Sequence, residues 1–287
     1  MKRAHIALLT LLLPVGLLAG CSKSSDDTGD NGARVEFGVE SVQSTDGEFP
    51  PGSDRTKLVN DTVTALTKRL TAAGLKDPKV EAGKNGDSVT VSTASGNGGD
   101  ITELASAGTL RIRPVLFSAP KYTGPGAEEG DVLDVELRQA NPETPQAEMA
   151  RRAQMLKCDD KDALVGRDDP ASLLVTCSAD GKTVYSLGPA VVDGTGIAKA
   201  TAAQAGKKWA VNLDYKPEAQ SALGAYTGAN DGKQVAFLVD TRVVDAPKIA
   251  PGAQYNAVAP DGFTQAQAKN LATALGSGPL PVRLVKK

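Results

Sequence analysis

The sequence predicts an α+β fold built on antiparallel sheets, and three observations lead there. Short apolar runs alternate with polar residues at strand spacing, two stretches switch to helical spacing with matching caps, and strands mostly follow strands rather than alternating with helices. Sheets made that way need only hairpins and short returns between strands, so a parallel doubly wound sheet is not expected.

Along the chain, Val35, Phe37 and Val39 alternate with polar neighbours as a first strand. Leu58, Val59, Val63, Leu66, Leu70 and Ala73 then recur at helical spacing. Asp54 is placed to cap the start of this helix and Gly74 to end it. Lys79 to Ala82 and Ser88 to Thr93 read as a strand pair around Gly83-Lys84-Asn85-Gly86, Ile101 to Ser106 as a short helix, and Leu110 to Leu116 as another strand. Residues 118–182 are rich in Pro, Gly, Asp and Glu, with one helix expected from Pro145 to Leu156, so this stretch reads as an insertion or connector.

Regularity returns at Thr183, with a strand at Val184 to Leu187, a small-residue helix at Thr195 to Ala205 and a strand at Trp209 to Asp214. A helix from Pro217 to Tyr226 has Pro217 in its first turn and Gly228 beyond its end. Gln234 to Val239 and Arg242 to Val244 read as a hairpin around Asp240-Thr241. Thr264 and Gln267 form a capping box for the last helix, Phe263 and Ala268 a staple across its first turn, and Gly276 its expected stop; Pro281 to Val285 closes as a strand.

The N-terminus reads as an export leader. Lys2 and Arg3 precede an apolar stretch from Ile6 to Leu18, too short to span a bilayer, and Leu18-Ala19-Gly20-Cys21 resembles a bacterial lipobox. Residues 1–20 are therefore expected to be a lipoprotein signal peptide, Cys21 the acylated residue, and 21–33 a flexible linker with nothing to bury. The 32 basic and 34 acidic residues nearly cancel, and only 4% of residues are aromatic. No basic field exists to hold nucleic acid, and the mature chain would be mildly acidic, contacting the membrane through its lipid. The one histidine, His5, lies in the leader, which excludes Ser-His-Asp and Cys-His catalysis and histidine-liganded metals from the mature chain. Cys158 and Cys177 remain as an even pair outside the cytoplasm and are expected to form a structural disulfide, worth about 3 kcal/mol for a loop of that size.

Four segments carry a family resemblance: YSLGPAVVDGTGI (185–197), WAVNLDYKPEAQSALGAYTG (209–228), VAFLVDTRVVDAPKI (235–249) and FTQAQAKNLATALGSGPLPVRL (263–284). In this order and with these gaps they resemble the large extracytoplasmic domain of the SecD family, the accessory subunit of the Sec translocase. The strand at Leu110 to Leu116 and the helix at 55–73 fit the same pattern. The resemblance implies a ferredoxin-like base with an inserted α+β head: base 34–117 and 261–287, head with connector 118–260. It pairs the last helix with the helix at 55–73.

Three departures qualify the transfer. The family's Gly-Leu-Asp-Leu-like opening has no counterpart near residues 34–48, Asp240-Thr241 replaces an Asp-Gly hairpin, and Lys216 stands where a capping Ser or Thr is common. The chain ends at Lys287, where the family's further membrane helices would follow, so it is not expected to run a proton-driven cycle by itself.

Other candidate chemistry is weaker. Ser118-Ala119-Pro120-Lys121 matches S-x-x-K, but Pro120 argues against the helix this motif needs. Gly194-Thr195-Gly196 lacks the third glycine of a dinucleotide loop, with Lys199 in its place, and reads as a helix entry. Asp159, Asp160, Asp162, Asp168 and Asp169 lack EF-hand spacing and read as a solvated acidic loop. Trp209, Tyr215, Tyr226 and Phe237 read as head core, with a hydrophobic groove for unfolded polypeptide as the other use of the same residues.

The expectation is a non-enzymatic, SecD-like, lipid-anchored extracytoplasmic protein without metal or cofactor. Its partners would be exported polypeptides or the Sec machinery; the alternative is a binding module for a small ligand or wall component.

Overall fold

The computed structural model describes residues 32–44, 46–124, 138–158, 162 and 164–287. Cys21, the leader and most of the linker lie outside the described residues, as do Asp159 and Asp160.

The first layer is a four-stranded antiparallel sheet. β1 (Arg34–Ser41) lies between β13 (Val282–Lys286) and β3 (Ser88–Ser92), with β2 (Lys79–Ala82) outside β3. The fourth strand of the layer thus sits beside the first and the third beside the second, the order of a ferredoxin-like base. Alternation sends Val35, Phe37, Val39, Val89 and Val91 inward against Val59, Leu66 and Leu70 of α1 (Arg55–Ala72). The Asp54 side chain accepts a hydrogen bond from the Lys57 amide, capping α1 as its sequence requires. The second helix on this core is α2 (Gly98–Leu104), which buries Ile101 and Leu104 and opens with a reciprocal Asn97–Asp100 capping box.

The second unit is larger. Its six-stranded sheet runs β11 (Arg242–Asp245), β10 (Val235–Val239), β4 (Leu110–Pro120), β7 (Thr183–Leu187), β6 (Leu173–Cys177), β5 (Gln139–Ala140). Its three-stranded sheet runs β12 (Ala257–Phe263), β9 (Lys208–Tyr215), β8 (Ile197–Ala205). Leu110, Ile112, Val235 and Phe237 from the first sheet meet Val211, Leu213 and Val258 from the second. Leu223 of α4 (Pro217–Ala229) and Ala268, Ala272 and Leu275 of α5 (Gln265–Gly276) complete this core. α3 (Gln146–Met155) packs Met149 and Ala153 on β6 and β7.

Several sequence expectations need correction. Residues 197–205 form strand β8 rather than a helix, entered through a single 3-10 turn at Gly194–Gly196 whose first amides are met by Asp193. Alanine favours helix, but pairing along β9 overrides that weak preference. β6 lies inside what reads as a connector: LLVTC is buried at every position, so it has no alternation to detect. β12 is a further strand not expected. α4 continues through Gly228 to Ala229, and α5 includes Gly276 and is capped at Ser277. α5 touches α1, as expected, but its apolar face packs mainly on β8 and β9, and its Asn270 donates to Asp100 and Glu103 of α2.

Candidate functional site: a charged seam and its neighbouring grooves

Between the base and the second unit, the side chains that meet are charged rather than apolar. Arg69 of α1 is fully buried and uses its whole guanidinium fork. Its Nε donates to Ser277 Oγ at 2.7 Å, Nη1 to the carbonyls of Leu104 (3.0 Å) and Ser106 (2.7 Å), and Nη2 to those of Ala107 and Gly278. Leu104 is the last residue of α2, and the other acceptors lie just past the C-terminal ends of α2 and α5, where the helix dipoles favour a cation. Burial lowers the Arg69 pKa to about 10, against the pull of the nearby Asp240 carboxylate.

Asp240 is the first turn residue of the β10–β11 hairpin. Its carboxylate accepts from the amides of Thr109 (2.8 Å) and Gly108 (3.2 Å), and burial pushes its pKa up against those bonds and the Arg69 charge. Asp240 and Thr241 both have positive φ (47° and 72°), the type I′ turn a two-residue hairpin requires. A β-branched residue at such a φ is strained. Here Thr241 is held by its hydroxyl, which donates to Asp162 at 2.8 Å, and by its carbonyl, which accepts from Thr176 Oγ1 at 2.5 Å.

Asp162 and Asp168 are buried in this seam, which corrects the reading of a solvated acidic loop. Arg138 grips Asp162 with both arms of its fork, at 2.6 and 3.1 Å, and Arg242 lies 3.4 Å from the same carboxylate. Burial works against ionisation of Asp162, yet the Arg138 hydrogen bond and charge outweigh it and hold the pKa low. Asp168 bridges Arg111 and Arg113, and Arg113 also donates to the carbonyls of Ser172, Gly188 and Asp169. Asp169 is largely exposed, and accepts from Ala171 and Ser172. From the base, Arg283 of β13 donates to the Asp162 carbonyl at 2.8 Å and to Glu40, which Arg167 also engages. The loop at 162–168 therefore ties both units together.

The remaining candidates are placed plainly. Cys158 and Cys177 are disulfide-bonded, with Cα atoms 5.8 Å apart, joining the end of α3 to β6. Ser118 lies on strand β4 opposite Tyr185, while Lys121 Nζ donates to the Leu156 carbonyl, so the two do not share a helical face. Phe237 is core, with Trp209, Tyr215 and Tyr226 half-buried against the same cluster. Among the described residues no group of three or more His, Cys, Asp or Glu is placed to hold a metal, and no helix is long and apolar enough to cross a membrane.

Two grooves flank the seam. One of about 330 Å³ lies between α1, α5 and β8, and one of about 220 Å³ between Val42, Arg111, Asp193 and Leu280. A third of about 700 Å³, beside the end of β4 and α3, is lined by Tyr122 and Met155, the large apolar side chains most exposed on the surface.

Residues 172–282 match the family model of the SecDF P1 head subdomain. Over much of its length the chain is similar to SecD. It is 40% identical over 152 residues to the protein translocase subunit SecD of two Mycobacterium tuberculosis strains, a match spanning 51% of this chain and 26% of each relative. SecD of Aquifex aeolicus is 38% identical over 72 residues, 25% of this chain and 14% of that protein. The chain thus spans about a quarter of the M. tuberculosis SecD proteins. A crystal structure of SecDF in its Super-membrane-facing form superposes with a TM-score of 0.51 at 21% identity, covering 90% of this chain and 30% of that one. A structure of SecDF, described as a membrane component that enhances protein export, gives 0.50 at 22% identity, covering 88% and 97%. At such identities these two speak to the fold, and they agree with a SecD-type base carrying a head.

The arginine seam escapes a sequence reading because its signal is burial. One trace was present: Arg111 and Arg113 stand two apart on a strand, hence on one face, and need an acidic partner if that face is covered.

Proposed function

We propose that this chain is a non-enzymatic extracytoplasmic lipoprotein that assists protein export by binding translocating polypeptides or the Sec machinery. It would be anchored through the acylated Cys21 after removal of residues 1–20, with 21–33 as its tether. In this reading the chain divides into a base, 34–117 with 261–287, and a head, 118–260, except that β4 and α5 pack in the second unit and shift the division to either side of them. The match of residues 172–282 to the SecDF P1 head, with 40% identity to SecD, carries the proposal. The seam supports it too: charged side chains that elsewhere serve catalysis are here spent on one another and on backbone carbonyls, as a mount for a binding head requires.

Photo-crosslinking from head positions in intact cells is expected to capture exported polypeptides in transit or translocase subunits. Capture of neither would overturn the role. Cys21→Ala is expected to move the protein from the membrane to the soluble fraction.

A further inference from the structure

Each sheet ends in two edge strands, and five of the six carry features that discourage pairing with another chain. β2 has four residues and bears Lys79 and Glu81; β13 bears Arg283 and Lys286. β5 has two residues. β11 has four, bears Arg242 and Asp245, and is bridged by Ser178. β12 is interrupted between Val258 and Phe263. The sixth, β8, is nine residues long, has five alanines and one charge, Lys199, and pairs without interruption from Lys199 to Ala205.

The register shows which backbone groups face outward. The Gly206-Lys207 turn leaves two residues between Ala205 and Lys208, with Gly206 at φ 62°, so Ala205 and Lys208 are the closing bonded pair. Bonded pairs then alternate along the ladder, which directs the N–H and C=O of Ala200, Ala202 and Gln204 away from β9. No turn, loop or side-chain hydrogen bond among the described residues reaches these groups. The groove of about 330 Å³ opens beside the first part of this edge, at Ala198, Lys199 and Ala200, with Lys68 and Ala72 of α1 and Gly276 of α5 among its other lining residues.

We infer that the open edge of β8 is a polypeptide-binding site, which an extended segment joins as a fourth strand of the β12-β9-β8 sheet. The inference rests on the proposed export role and gives it a place and a mode. An isolated strand needs only about 4.8 Å beside β8. A second folded copy would bring its own sheet against α1. Alanine side chains impose no pattern on the incoming segment, so recognition runs through the backbone and tolerates sequence, as a translocating chain demands. Lys68, Lys199 and Lys207 flank the edge and favour neutral or acidic segments over basic ones.

The test uses the full chain and two probes: reduced, carboxymethylated lactalbumin as an unfolded polypeptide, and a fluorescent Thr/Val peptide of about ten residues containing Asp, with an N-methylated twin that cannot donate along either edge. Ala202→Pro and Gln204→Pro each remove one outward N–H, a change edge strands accept. Both are expected to keep the melting temperature and weaken each probe about tenfold or more. The methylated twin is expected not to bind, and the amides of Ala200 and Ala202 to gain exchange protection in the unmodified chain when the peptide is added. Thr201→Lys, which changes only a side chain on the exposed face, is expected to bind as before.

If lactalbumin binds while folded proline variants bind equally, or the methylated twin binds as well, the edge site is overturned and the export role stands. Should a proline variant not fold, absence of peptide-dependent protection at Ala200 and Ala202 overturns it. If neither probe binds the unmodified chain, the edge site falls, and in-cell crosslinking alone decides contact with the translocase.

Discussion

Arg69 shows how one side chain can decide a packing arrangement. An α-helix ends in carbonyls without partners, and α2 and α5 end close together inside the protein, where water cannot serve them. One guanidinium with five donors, reaching from α1, holds the Leu104 carbonyl at the end of α2, the Ser106 and Ala107 carbonyls beyond it, and the Ser277–Gly278 turn just past α5. Arg69→Met keeps much of the volume and strands those carbonyls, and is expected to destabilise the protein by about 3 kcal/mol or more in denaturant titration. Arg69→Lys should recover only part of this, since a compact ammonium cannot reach carbonyls spread along a fork. At Lys216 the direction reverses. It precedes α4 in a capping conformation (φ −66°, ψ 153°) but makes no side-chain cap, and its charge sits at the positive end of the helix. Lys216→Asp is expected to stabilise by about 1 kcal/mol, read as a higher urea midpoint with an unchanged slope.

Elements differ in how openly the sequence declared them. α1 and α5 were legible because their signals are local: Asp54 reaches the Lys57 amide, and Thr264 with Gln267 closes a capping box. The β10–β11 hairpin was legible from alternation around Asp240-Thr241. β8 was not, because alanine says helix when read alone, and only its neighbours β9 and α5 show why small residues are there. Gly276 faces the Ala200 backbone, where an added Cβ would lie 3.8 Å from the Ala200 nitrogen and oxygen, so helix and strand run in close contact there. β6 was hidden by complete burial, and its anchorage to α3 was foreseen only as a disulfide. Replacing Cys158 and Cys177 together by alanine is expected to cost about 3 kcal/mol relative to the oxidised unmodified protein, with the reduced protein as control falling by a similar amount. The same change should raise exchange in the 162–168 loop, which lies within the closed ring.

Across the whole molecule, the paired carboxylates set the response to acid. Asp162 is held low by Arg138, Asp169 by the Ala171 amide and Ser172, and Glu148 is brought from 4.5 to about 2 by Arg151 and Arg152. A carboxylate whose pKa is lower folded than unfolded stabilises the fold above its unfolded value, and that contribution is lost as pH falls through the folded one. Asp240, shifted upward, works the other way and offsets part of the loss. Stability is therefore expected to decline as pH drops from about 4.5 towards 2, followed by thermal melts across that range. Asp162→Asn should flatten the slope while lowering stability at neutral pH. The ferredoxin-like base and inserted head were legible in the sequence through resemblance; the charged mount between them depends on which polar groups burial brings together.

The strand order of the base also dictates a sequence of events. β13 returns to pair with β1, so that Lys287 meets Glu36 across 251 positions. The elements of the head, by contrast, can find one another over much shorter separations. Pairings this distant form late and slowly. The second unit would thus take shape while the base still waits for its closing strand, leaving one edge of β1 unpaired in the interval. Assembly would then proceed from the second unit toward the base, and the step that completes the base would fix the second unit in place.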